Sequence, residues 1–459
     1  MILALIITSI YLFPKPDLLG ESGDAVDIWK TITTWHDSDV YGSYVLYKGF
    51  ESVYPYIWFY DLSMALNIDA WFFIKCYYIM MFCVSVVVLL PKIVEKITGE
   101  TPKNYMKVIL FAICFMFWEP AGALVFMVDL PSFFYFLILV LLALYFDRFS
   151  KSIWYWLALG FMMGMNICSS GQYTLPAVAV AAYLLIHMFK AWRGVEERRS
   201  WLFCIPLIVV ALGIREYNNY FLDVIVGEMR ANGAWIPSAN VWMEIGFLRL
   251  MPIYRQGFCV DIYCERAFEV MQNYFGEDYE IYKDAMLNGG YPLTIPEYLD
   301  LFIHEPLDCL AMYGCELFLM LSPDRGHLSF IPLFIGYTLL FITLWYMVSK
   351  CRERRQLYSS NIWLVLAFFF ALVPCLVLVY DPRHAFQLQG LIFGVAICTP
   401  WIWNKLSDTF ARWRDRKNSE EPSKVNYVLM AYIMFLFFCF VLIALMYENS
   451  ADPTFYWWK

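Results

Sequence analysis

Eleven apolar stretches dominate this chain, near residues 1–13, 68–91, 106–118, 131–147, 153–168, 174–190, 201–215, 327–349, 359–380, 385–404 and 425–447. A helix that crosses a bilayer needs about 20 mostly apolar residues, and only helices or closed barrels satisfy their own backbone in lipid. With 61% hydrophobic and 16% charged residues, the chain has too little polar surface to hide so many apolar segments in water, where charged residues make up about 25% of a typical domain. Its 18 Trp and 33 Tyr suit repeated passage through the headgroup layer, where indole and phenol rings settle. The expected fold class is an all-α polytopic membrane protein with about 11 transmembrane helices. The first stretch, thirteen residues with no basic flank, is a thin span and a poor signal peptide, which leaves open a start upstream of Met1.

Charge placement orients these spans. With the N-terminus cytoplasmic, the inner loops are 92–107, 148–152, 190–199, 350–358 and 405–424, and they hold 20 of the 33 Lys and Arg residues. Every second loop therefore obeys the positive-inside rule. Eleven spans place the C-terminus on the extracytoplasmic side of the cell membrane. The net charge of −8 argues against a nucleic-acid partner.

Three regions follow: 1–215 with spans 1–7 and an acidic first outer loop at 14–67, an extracytoplasmic loop domain at 216–326, and 327–459 with spans 8–11. The middle region mixes turn signals such as "NGGYP" with helix-like stretches such as "PEYLDLFIHEPLDCLAMYGCELFL", and reads as a mainly helical domain.

The first outer loop contains "LLGESGDAVDIWKTITTWHDSDVYGSY", which crowds Glu21, Asp24, Asp27, His36, Asp37 and Asp39 between two apolar segments. Asp24 and Asp27 are three apart and share one face of a helix. Carboxylates just outside a span can act as a general base or hold a divalent cation, or they can simply be a solvated acidic loop. Glu119 and Asp129 lie at the outer ends of two neighbouring spans, either used or snorkelling to water. In "VYDPRHAFQLQG" Arg383 and His384 sit at outer headgroup depth. A guanidinium there can grip a lipid phosphate bidentately, or pair locally with Asp381. Arg325 in "LSPDRGHL" and Arg215 at the end of the seventh span are further outer basic residues.

Nine of the 13 cysteines fall in or beside spans; the other four, Cys259, Cys264, Cys309 and Cys315, could pair in three ways outside the cell. The chain has no P-loop, dinucleotide fingerprint or Gly-x-Ser-x-Gly elbow, which argues against an ATP-driven pump.

Taken together these stretches resemble the GT-C superfamily of membrane glycosyltransferases, the class of protein mannosyltransferases and aminoarabinose transferases. "GDAVDIW" is similar to that family's acidic motif in the first outer loop, which puts the catalytic carboxylate at Asp24 with Asp27 second. "VDLPSFFYFLILVLLALYFDR" and the glycine-containing "LALGFMMG" are similar to its third-to-sixth-span region, and "PEYLDLFIHEPLDCLAMYGCELFLMLSPDRG" to the segment that returns to the membrane. "YDPRHAFQLQG" resembles its outer arginine motif through Arg383, although His384 stands where Tyr is usual.

The resemblance implies transfer of a sugar from a polyprenyl-phosphate donor to a lipid, glycan or protein acceptor on the extracytoplasmic face, in cell-envelope polysaccharide assembly. Asp24 would be the base, Asp27 and Asp129 would assist, and Arg383, His384, Arg325 and Arg215 would face the lipid phosphate. Glu119, His36, Asp37 and Asp39 would support the acceptor or a metal. Mg²⁺ and Mn²⁺ are the cations that suit such acids, and other envelope-assembly proteins are the expected partners. Two other classes stay open. An O-antigen polymerase or ligase would draw on Arg249, Arg255, Arg266 and His304 in the large outer segment, and a transporter or flippase of lipid-linked sugars would carry charges deep in its spans.

Overall fold

The computed structural model describes residues 1–19, 23–37, 49–120, 122–169, 173–193, 204–231, 276, 300, 303–304, 306, 321, 328–353, 358–370, 385–416, 427–448 and 455–456. Nearly all of them are helical. The chain divides into two compact units, one of 1–236, 349–371 and 397–399, the other of 237–348, 372–396 and 400–459.

Within residues 1–236 the helices are α1 (Ile2–Leu12), α2 (Gly23–Thr33), α3 (Tyr54–Leu66), α4 (Ala70–Val84), α5 (Leu90–Thr98), α6 (Asn104–Trp118), α7 (Asp129–Leu144), α8 (Phe146–Phe149), α9 (Ile153–Ser169), α10 (Thr174–Arg193) and α11 (Cys204–Ala231). Further along the chain come α12 (Phe330–Glu353), α13 (Tyr358–Phe370), α14 (Phe386–Cys398), α15 (Pro400–Arg416) and α16 (Tyr427–Glu448). A two-residue parallel pairing joins β1 (Leu328–Ser329) to β2 (Phe455–Tyr456).

Over its described residues, each of the eleven apolar stretches carries one or two of these helices. Among the described residues, two helices are long and apolar enough to cross a bilayer: Ala70–Thr98, with 29 residues, and Phe330–Lys350, with 21. The α14–α15 pair, bent by 53°, qualifies when counted as one span, and six other apolar helices are shorter. Rows of exposed large apolar side chains, such as Ile2, Leu3, Ile6 and Ile10 on α1 or Met430, Ile433, Met434 and Phe437 on α16, suit hydrocarbon surroundings. The chain is a helical membrane protein.

The long Ala70–Thr98 helix shows how sequence sets local form. Asp69 caps it by accepting from the Trp71 N–H at 3.1 Å. Pro91 then removes a backbone donor, and the turn before it, Ser85–Leu89, widens to a π-helix. Gly99, at φ 75°, closes the helix with its N–H on the Glu95 carbonyl at 2.8 Å.

The glycines of "LALGFMMG" have a packing role. A Cβ on Gly160 would lie 2.6 Å from the Leu207 carbonyl oxygen, and one on Gly164 would lie 2.9 Å from Ile214. The two glycines, four apart on α9, let α11 approach at backbone distance, as small residues do between membrane helices.

Candidate active site

The sequence offers two separate acidic segments, and the structure ties the stretch before the first to the connection that leads into the second. The Phe126 N–H donates to the Leu18 carbonyl at 2.7 Å, tying the segment between α1 and α2 to the connection between α6 and α7. Beyond Leu18, α2 buries Ala25, Ile28 and Ile32. Trp29 projects from it into an aromatic cluster, with ring centroids 4.4 Å from Trp71, 6.0 Å from Tyr60 and 6.2 Å from Phe126.

Asp24 and Asp27 stand in the first turns of this helix, on the row that continues into Ile28 and Thr31, both buried. The side chains of Asp24, Asp27 and Asp37 lie outside the described part of the structure, as does all of Asp39. Exposed His36 places Nε2 2.9 Å from Asp61 Oδ1 on α3.

The connection that receives α2 is held from several sides. Tyr78 on α4 donates its hydroxyl to the Met127 carbonyl at 2.6 Å and accepts the Met127 N–H at 3.0 Å. Two residues on, Asp129 opens α7 with 4% of its surface exposed. A carboxylate in that position is favoured by the helix dipole. At the other end, Glu119 accepts from the Tyr11 hydroxyl and lies 3.8 Å from Lys15 Nζ. Burial raises the Glu119 pKa and lowers that of Lys15, each toward its neutral form. Lys75, 4% exposed, donates to the carbonyls of Lys15 and Pro16, clamping the exit of α1 onto α4.

Glu51, which the sequence reading passed over, joins this neighbourhood. It sits on a 3-10 turn, Phe50–Ser52, 5% exposed, with neither carboxylate oxygen hydrogen-bonded among the described residues. Burial alone pushes its pKa well above the usual carboxylate range. The hydroxyls of Tyr77 and Tyr135 lie 3.0 Å apart, and the Tyr77 ring centroid is 6.2 Å from that of Tyr56, five residues on from Glu51. The available signal was an acid set among apolar residues behind a glycine, "GFESVYP".

Of the expected phosphate ligands, Arg215 is exposed on α11. Two neighbouring residues of the same helix grip the Glu51 segment, through Asn218 Oδ1 on the Phe50 N–H at 3.0 Å and Tyr217 on the Tyr54 hydroxyl at 2.8 Å. Arg325, Arg383 and His384 lie outside the described residues, as do Arg249, Arg255, Arg266 and the four outer cysteines. His304, on the same large outer segment, is exposed with Nδ1 2.9 Å from the Asp300 carbonyl. No three His, Cys, Asp or Glu side chains converge as a cation site among the described residues.

No protein-family model matches the chain, and no curated protein matches it. Among solved structures it is similar to the archaeal oligosaccharyltransferase AglB from Archaeoglobus fulgidus, determined in complex with an inhibitory peptide and a dolichol-phosphate. The likeness has 13% sequence identity and a TM-score of 0.43, and it covers 98% of this chain and 54% of that one, so this chain spans about half the length of the structure that it matches.

Proposed function

We propose that the protein is a GT-C glycosyltransferase that moves a sugar from a polyprenyl-phosphate donor to a hydroxyl of a lipid, glycan or protein acceptor at the outer face of the membrane. The observation that carries the reading is the docking of α2, with Asp24 and Asp27, onto the connection that ends in buried Asp129. The helix that carries Asp24 and Asp27 thereby packs, through Trp29, on the connection that leads into Asp129, beside apolar helices where a lipid-borne substrate would arrive.

In this reading Asp24 takes the acceptor proton as the acceptor attacks the anomeric carbon. The new glycosidic bond forms as the bond from that carbon to the phosphate oxygen breaks, inverting the centre. The electron pair leaves with the polyprenyl phosphate, and fixed positive charge stabilises it. Arg383, His384, Arg325 and Arg215 are the candidates for that charge, while Asp27 and Asp129 orient the acceptor. Eleven spans with a cytoplasmic N-terminus put the first outer loop and residues 216–326 on the side where the donor is presented.

The test uses purified protein with a polyprenyl-phosphate hexose, measuring binding and then release of free polyprenyl phosphate. Wild type is expected to bind and release. Asp24→Asn is expected to bind but lose release by about 100-fold or more, the usual contribution of a general base, and Arg383→Ala is expected to weaken binding. Release that survives in Asp24→Asn sinks the base assignment. Binding without release in wild type, whatever acceptor is supplied, sinks the transferase reading.

A further inference from the structure

Burying a carboxyl without a hydrogen-bond partner costs free energy, yet the fold constrains Glu51 from several directions. Gly49 adopts φ 74° beside it, and a Cβ there would lie 2.5 Å from the Cys168 carbonyl oxygen and 2.8 Å from Asn218 Oδ1. Ser52 Oγ donates back to the Gly49 carbonyl at 2.7 Å, and Asn218 holds the Phe50 N–H. The turn is fixed, and among the described residues the acid that it carries has no hydrogen-bond partner.

Glu51 is not alone in this. Ser132 Oγ on α7 and Asn166 Oδ1 on α9 are also buried without a hydrogen bond among the described residues, and α9 packs against both α7 and the Phe50–Ser52 turn. The Tyr77–Tyr135 hydroxyl pair adjoins the same segment, with the Tyr77 ring 6.2 Å from that of Tyr56, five residues after Glu51. Tyr78, next to Tyr77, holds Met127, so this group of polar side chains adjoins the connection that carries Asp129 and receives α2.

We propose that Glu51, with the paired hydroxyls of Tyr77 and Tyr135, binds hydroxyl groups of the sugar carried by the lipid-linked donor. The proposal rests on the transferase reading above and gives that site its sugar-recognition residues. A carboxyl this buried is held as the neutral acid, and a neutral acid offers one donor and one acceptor. Tyrosine hydroxyls offer the same pair, and sugar hydroxyls complement both. A phosphate supplies acceptors only and would be repelled by any ionised fraction of Glu51, so the sugar rather than the phosphate is the matching half of the donor.

The experiment compares two ligands on full-length protein in lipid nanodiscs: a polyprenyl-phosphate hexose and the same polyprenyl phosphate without sugar. Glu51→Ala is expected to weaken the sugar-bearing ligand about 10-fold and leave the bare lipid phosphate within about 2-fold, since only the sugar loses hydrogen bonds. Glu51→Gln keeps a donor and an acceptor and is expected to recover most of the affinity. In infrared difference spectra a protonated-carboxyl band should be present in wild type, shift on adding the sugar-bearing ligand, and be absent in Glu51→Gln. If Glu51→Ala does not fold, Glu51→Asp, which withdraws the acid by one methylene, is expected to show the same selective loss. Equal weakening of both ligands, or of neither, overturns the assignment and makes Glu51 structural. Wild type that binds neither ligand overturns the transferase reading, and this inference with it.

Discussion

Leu18 and Phe126 are 108 residues apart in the chain and joined by a 2.7 Å backbone hydrogen bond. That bond fixes the start of the first outer loop against the connection leading into Asp129. It explains how an acidic stretch behind a single short helix acquires a defined position: α2 docks through Ala25, Ile28, Trp29 and Ile32, and the backbone bond sets its approach.

Trp29 is the largest side chain in that docking. Trp29→Ala removes three ring contacts from a half-buried position and is expected to cost roughly 2 kcal/mol, below the range for a fully buried aromatic. The larger consequence falls on transfer. Because a displacement of about 1 Å can cost about 100-fold in rate, release of polyprenyl phosphate should fall roughly 10- to 100-fold while donor binding changes little. Thermal unfolding of purified protein read beside transfer assays separates the two. A stability loss with unchanged transfer would detach α2 from the chemistry.

Lys75 tests the other anchor of the outer loop. Its ammonium serves the carbonyls of Lys15 and Pro16 from a site with 4% exposure. Lys75→Met keeps the apolar stem but leaves two carbonyls short of a donor, at an expected cost of about 1.5–3 kcal/mol, typical of hydrogen bonds to charged groups. A lower thermal midpoint, together with faster proteolysis between residues 13 and 22, would show that the clamp holds the loop in place. Wild-type behaviour in both assays would make the clamp incidental.

Gly49 isolates the Glu51 turn. An alanine there must accept φ 74° and place a methyl against the Cys168 carbonyl at 2.5 Å, which is backbone and cannot swing aside. Left-handed strain alone costs about 1–2 kcal/mol, and the contact adds to it. Gly49→Ala is therefore expected to lower the thermal midpoint. It should also weaken the sugar-bearing ligand more than the bare lipid phosphate, because the turn that carries Glu51 has to move. Thermal scans and the two-ligand comparison check this together.

Helix positions were legible in the sequence because lipid imposes one requirement, an unbroken apolar run, and a helix lies on the described part of each expected stretch. The glycines of "LALGFMMG" were visible as a pattern, although not as the contact of α9 with α11, which needs the Leu207 backbone in space. The outer loop was harder. Neither α2 nor α3 has the length of a span, and α2 is specified by docking onto Phe126, a partner no local pattern reveals. Asp24 and Asp27 stood out through their spacing. Glu51 did not, because its distinction is burial without a partner, and a single acid between Phe50 and Ser52 gives no period to detect.

Holding Glu51 as a buried acid also predicts how stability depends on pH. Its folded pKa is raised well above the ordinary value of 4.5 by burial alone. Below that value both states carry the proton and the residue costs nothing extra. As pH rises past it, the unfolded chain releases the proton while the folded chain keeps it. Stability then declines at about 1.4 kcal/mol per pH unit until the folded group ionises too. The amide of the Glu51→Gln variant never ionises, so that variant should match wild type near pH 4.5 and become progressively more stable than it toward neutral pH. Thermal midpoints of both proteins across that range measure the difference directly. Parallel curves would mean that the Glu51 carboxyl is ionised in the folded protein, and would remove the neutral acid on which its sugar-binding role depends.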